Sequence, residues 1–178
     1  MPTGRPAEVR YGRLHNLSMA IVAVGIVATA LFQFAARPEQ APRLSPADPR
    51  FVLFAVLTAA MAYYGYLGTR RSLDRKPQVV IDRDGIALGF GRNRRFAWSD
   101  VEWVRLRRLA FRPQLQIALS PDAFVAADLR LSTWTLEDGL RPVRGVPAAV
   151  LVRDNGLDAS AGAMLDAIRA FRPNLVTP

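Results

Sequence analysis

The chain is expected to be α+β: an N-terminal helical hairpin followed by a small antiparallel sheet or open barrel, with a helix at the C-terminal end. Three observations predict it. Residues 17–36 and 51–69 are long runs without a single charge. Between residues 78 and 153, short β-branched segments alternate apolar and polar positions and are separated by turn residues. After Ser160 the apolar residues switch to helical spacing.

The first run, "LSMAIVAVGIVATALFQFAA" (17–36), covers about 30 Å as a helix at about 1.5 Å per residue, the thickness of a bilayer core. "FVLFAVLTAAMAYYGYLGT" (51–69) is almost as long. The first 70 residues hold too little other chain to bury two such helices all round, so both are expected to span a membrane. The prolines of the loop 37–50 are expected to end both helices. Gly25 with Thr29, and Ala55 with Ala59, have the small-x-x-x-small spacing that lets two spans pack closely.

Of 24 basic residues, only Lys76 is a lysine, which fits the base composition of a high-GC bacterium. The formal charge is +9, and its distribution decides its meaning. Residues 1–76 hold ten basic against four acidic residues, whereas 77–178 hold fourteen against eleven. The excess flanks the apolar runs, where a DNA-binding domain would carry it on the folded part, so no nucleic-acid partner is expected. Arg5, Arg10 and Arg13 precede the first run and "RRSLDRK" (70–76) follows the second, while loop 37–50 is nearly balanced. The positive-inside rule then puts both termini in the cytoplasm of a multi-pass protein of the cell (inner) membrane. Tyr63, Tyr64 and Tyr66 fall at the cytoplasmic interface. A cleaved signal peptide over 1–36 is the competing reading, and its apolar region is longer than such peptides use.

The chain divides into 1–76, carrying the two spans, and a cytoplasmic domain over 77–178. In that domain "QVVID" (78–82), the turn "RDG" (83–85) and "IALGFG" (86–91) form a hairpin, followed by a polar loop "RNRR" (92–95). In the next segment, Val104 and Leu106 alternate with Arg105 and Arg107. "PQLQIALS" (113–120) places Leu115, Ile117 and Leu119 on one face, residues around 121–129 are helical, and 131–145 is ambiguous. "PAAVLVR" (147–153) reads as a strand. Ser160 or Asp158 caps a last helix with Ala161, Leu165, Ile168 and Phe171 on one face, and Pro173 stops it.

A transmembrane hairpin followed by "RKPQVVIDRDGI", a second strand, "FAWSDVEWVRL" and a C-terminal helix resembles bacterial membrane-anchored proteins with a pleckstrin-homology-like (PH-like) domain. The resemblance covers residues 70–110 well, 147–172 by pattern and 111–146 poorly. It implies a curved antiparallel β-barrel or sheet with a C-terminal capping helix. It implies no known activity, because these families are mostly of unknown function. The first-hairpin turn "DRDG" (82–85) is too acidic for phosphoinositide recognition.

Chemistry is sparse. Without cysteine there is no disulfide, thiolate metal site or Cys nucleophile. One histidine, His15, cannot build a triad or a His-based metal cluster. Ser99–Asp100 lacks a base and reads as a turn, and "GFGRNR" lacks the third glycine and helix of a dinucleotide loop. Trp98, Trp103 and Trp134 are read as core or seam fillers. The expectation is a non-enzyme without cofactor or metal. Its candidate binding surface is Arg92, Arg94 and Arg95 together with Arg105, Arg107 and Arg108. The expected partners are the membrane itself and either anionic lipid headgroups or a protein, here another membrane protein. The alternative is a non-catalytic structural or regulatory subunit that associates with a membrane complex through its spans.

Overall fold

The computed structural model describes residues 6–36, 45–89, 94–109, 112–126, 140–143 and 145–177. It divides into a helical unit, Gly12–Asp74, and a sheet unit that joins the first eleven residues to residues 75–178.

In the helical unit, α1 (Arg13–Ala36) and α2 (Pro49–Leu73) both run past the charge-free stretches. Asp48 caps α2 by accepting the Arg50 N–H at 2.9 Å, so Pro49 opens this helix at its first position instead of ending one. Arg70 and Arg71 sit in its last turn, where cations offset the carbonyl end of the helix dipole. Both helices are long and apolar enough to cross a membrane. They turn large apolar side chains outward, with Ile21 63 %, Val24 61 % and Phe32 71 % exposed.

The two helices approach each other where small residues coincide. Ala20, Ala23, Gly65 and Gly68 are buried at the contact, together with Asn16. Asn16 turns its amide back to the Gly12 carbonyl at 2.9 Å. The expected small-residue stripe does not form this contact. Gly25, Thr29, Ala55 and Ala59 are exposed, and a Cβ at Gly25 would meet nothing within 4 Å. Spacing identifies a smooth helix face but not which of several faces turns to the partner.

In the sheet unit, β1 (Ala7–Val9), β2 (Val79–Ile81), β3 (Gly85–Leu88) and β4 (Arg94–Ala97) form one antiparallel sheet in that order. A 3₁₀ turn over Trp98–Asp100 leads into β5 (Val101–Leu109). With β6 (Arg112–Leu119), β7 (Leu140–Pro142) and β8 (Ala149–Val152) it makes a second sheet, ordered β5-β6-β8-β7. Of the expected antiparallel sheet or open barrel, the structure shows two separate antiparallel sheets that do not close into a barrel. The first sheet's strands are three or four residues long, and the 3₁₀ turn over Trp98–Asp100 separates β4 from β5 along the chain.

A short helix, α3 (Pro121–Ala126), follows β6, and α4 (Ala161–Phe171) lies near the C-terminal end. The Ser160 hydroxyl accepts the Ala163 N–H at 3.2 Å, and Ala161, Met164, Leu165, Ile168 and Phe171 are buried. They share one core with Val9, Ile81, Leu88, Phe96, Val104, Ile117 and Val150, drawn from both sheets. Residues 127–139 lie outside the described residues, and with them the end of the helix expected near 121–129 and most of the ambiguous segment 131–145.

The N-terminal strand was not anticipated from the sequence. Ala7 pairs with Ile81 and Val9 with Val79, so the residues before the first apolar helix form a ladder with those after the second. The crossing extends beyond the strand. Gln78 donates its N–H to the Val9 carbonyl at 2.7 Å, and Asp158 donates its N–H to the Arg10 carbonyl at 2.9 Å. The Arg10 N–H returns to Asp158 Oδ1 at 2.9 Å. The boundary expected at 76/77 therefore gains a discontinuous piece of chain.

Candidate functional site

The two arginine groups lie on strands. Arg94 and Arg95 belong to β4, where they pair with Leu88 and Ala87, and are not part of a free polar loop. Arg92 lies outside the described residues.

Arg95 is occupied. Its guanidinium reaches across the sheet to both oxygens of Asp82 at 2.6 Å, and to Asp84 at 3.7 Å. Asp82 is already organised by its turn: Oδ1 accepts the N–H of Asp84 at 2.9 Å and of Gly85 at 3.2 Å. The Trp98 indole N–H donates to the Asp82 carbonyl at 3.0 Å. A side chain at Gly85 would collide with the Phe96 carbonyl, so only glycine lets β3 lie this close to β4. The turn, Arg95 and Trp98 together form a self-satisfied structural corner.

Burial pushes the Asp82 carboxyl up, but the hydrogen bond from Arg95, the two backbone N–H groups and the Arg95 charge outweigh it, leaving a net downward shift. Because the folded value lies below the unfolded one, about 3.9, this group's contribution to stability is full above that pH. It is lost as pH falls through the lower folded value. The Asp82 side chain is 17 % exposed and that of Arg95 48 %, so solvent screens the pair. Arg95→Met is expected to destabilise the sheet unit by about 1 kcal/mol at neutral pH, the upper end for exposed pairs. The deficit relative to wild type should shrink as pH is lowered below about 4, as measured by urea denaturation at a series of pH values.

The second group lies along β5, an edge strand. Arg105 is held in place: its Nε donates to Gln116 Oε1 at 2.9 Å, and its guanidinium carbon lies 4.5 Å from the centre of the Trp103 ring. Gln116, directly opposite on β6, is itself buried. Arg107 follows on the same face as Arg105 and is exposed. Arg108 is also exposed but falls on the alternate face, in register with Pro113. The structure thus splits the predicted surface, leaving Arg105, Arg107 and Arg108 along one strand edge.

Sequence reasoning missed the groups that position these arginines. Asp82 and Gln116 are legible as partners only once cross-strand register is known. Of the tryptophans, Trp98 is buried at the corner and Trp103 is half-buried under Arg105, while Trp134 lies outside the described residues.

The remaining chemistry stays apart. His15 is exposed on α1, and its backbone carbonyl accepts the Ser18 hydroxyl at 2.8 Å. Together with Met19, Val22, Met61 and Tyr64 it lines an open groove of about 400 Å³ on the helical unit. Asp100 folds back to accept the Ala97 N–H at 3.2 Å, and Ser99 donates to Asp100, so this pair forms the turn into β5. Among the described residues, no three His, Asp or Glu side chains gather where a metal ion would sit. Compared with known protein families, curated proteins and solved structures, the chain matches none.

Proposed function

We propose that this chain is a non-enzymatic, two-span membrane protein that presents a PH-like domain on the cytoplasmic face as a binding module. Its target is a protein partner or anionic lipid headgroups. The observation that carries this reading is the ladder between β1 and β2. These strands flank the apolar hairpin in sequence, and pairing in one sheet requires both hairpin ends to emerge on the same side of a membrane. Cleavage after α1 would strip β1 from the sheet, which speaks against the signal-peptide reading. Two antiparallel sheets sharing a core with a C-terminal helix support a PH-like arrangement in its open form. The basic flanks support the cytoplasmic side. Anchoring raises the domain's effective concentration at the membrane, so modest contacts suffice for binding.

The absence of cysteine makes the topology directly testable. In bacterial cells expressing the full chain, an impermeant maleimide is expected to label Ala47→Cys in intact cells. It should label Arg83→Cys only after permeabilisation. Labelling of Arg83→Cys in intact cells would overturn the orientation, and protection of both Ala47→Cys and Arg83→Cys in intact cells would overturn the two-span arrangement. The alternative role, as a subunit joined to a complex through its spans, draws support from the outward-facing Gly25, Ala55 and Ala59, which leave room for another helix.

A further inference from the structure

The β5 edge offers more than exposed charge. Its backbone is unevenly covered: the Val104 carbonyl points away from β6 and accepts the Thr177 N–H at 2.9 Å, with Val176 forming a single parallel bridge to Val104. In an antiparallel ladder, alternate residues direct their backbone groups the same way. Leu106 and Arg108 therefore also aim their N–H and C=O outward, and Pro113, which has no N–H, sits opposite Arg108, where no N–H toward β5 is needed. Among the described residues, no chain pairs with the edge beyond Val104.

We propose that the β5 edge from Leu106 to Arg108 receives an extended, acidic segment of a partner protein as an added strand. Main-chain hydrogen bonds would supply the affinity and the flanking arginines the selectivity. The proposal rests on the reading of the sheet unit as a binding module and names its partner class. Arg105 and Arg107 flank the docking line on one face and Arg108 on the other, so acidic side chains of an incoming strand meet a cation on either face. The same charges argue against a second copy of this chain as the occupant. Two β5 edges paired with each other would set arginine against arginine, the device by which exposed edges resist self-association. Arg105 is already immobilised by Trp103 and Gln116, which lowers the ordering cost of binding.

The test uses the full chain in neutral detergent and a fluorescent peptide of about ten residues alternating Glu and Val, long enough for one strand. Fluorescence anisotropy should show binding of this peptide and none of its Lys–Val counterpart. Arg108→Pro removes the outward N–H at an edge, where proline is tolerated, whereas Arg108→Gln removes only the charge. Binding to Arg108→Pro should be at least about tenfold weaker than to Arg108→Gln, on the order of one lost net hydrogen bond plus the break in register. Should Arg108→Pro fail to fold, Arg107→Glu combined with Arg108→Glu is expected to reverse the preference toward the Lys–Val peptide. Absence of Glu–Val binding, equal binding of both peptides, or equal affinities of the proline and glutamine variants would overturn the added strand. Loss of peptide binding when the chain is placed in anionic-lipid nanodiscs would assign this edge to lipid headgroups instead. That outcome would sink the acidic-peptide partner while leaving the binding-module reading standing.

Discussion

Replacing Gly68 by valine is expected to force the two apolar helices apart. A Cβ at this position would lie 2.6 Å from the Asn16 carbonyl oxygen, 2.9 Å from the Ala20 nitrogen and 3.1 Å from the Ala20 Cβ. Two of these three are backbone atoms of α1, which cannot swing aside as a flexible side-chain tip can. Overpacking of this kind costs about 1–3 kcal/mol where neighbours can adjust, and backbone neighbours put Gly68→Val at or above the top of that range. Gly25→Val is the matched control, since a Cβ there meets nothing. The Phe34 and Phe54 rings stack with centroids 5.5 Å apart, so a Phe34→Cys, Phe54→Cys pair reports hairpin closure in the cysteine-free chain. Oxidative crosslinking of that pair should fall severalfold with Gly68→Val and stay unchanged with Gly25→Val. Equal yields in both would mean that α1 and α2 do not meet at Gly68.

An equally large effect is expected at the N-terminal strand. Val9 is 3 % exposed and belongs to the core shared by both sheets and α4. Val9→Asp forfeits about 1.5–3 kcal/mol of apolar burial. It also places a carboxylate where it must either stay unpaired or take up a proton, each costing several further kcal/mol. Set against the roughly 5–15 kcal/mol that stabilise an ordinary domain, this is expected to unfold most or all of the sheet unit. Glu8→Ala, on the exposed side of the same strand and paired with the exposed Arg10, should change stability by less than about 0.5 kcal/mol. The readout is the urea midpoint of the full chain, followed by tryptophan fluorescence. Trp98 is well placed to report it, being buried with its indole bonded to the β2–β3 turn. A midpoint unmoved by Val9→Asp would show that the first residues contribute nothing to the sheet.

These two positions show how far local pattern reaches. The apolar runs were legible because a helix long enough to cross a bilayer writes its length directly as charge-free residues. The hairpin of β2 and β3 was legible because period-2 alternation and a turn glycine are both local. Val9 carried no such signal: a three-residue strand separated from its partner by the whole helical hairpin has too few residues to show a period. For the candidate site, the sequence located the arginines without distinguishing them. Cross-strand register engages Arg95 with Asp82, fixes Arg105 between Trp103 and Gln116, and turns Arg107 and Arg108 to opposite faces of an edge.

By itself, then, the sequence determined the division into an apolar helical part and a mixed sheet part, the positions of the long helices, and the absence of cysteine chemistry. Those properties follow from composition and short-range periodicity, which each segment carries alone. Only the tertiary structure decided that the sheets stay open, that Gly65 and Gly68 rather than Ala55 and Ala59 meet the first helix, and that the N-terminus joins the domain it precedes by seventy residues. Each of those outcomes is a choice among faces, edges or partners that are locally equivalent. It is settled by which combination buries the most apolar surface while leaving the fewest backbone groups unpaired.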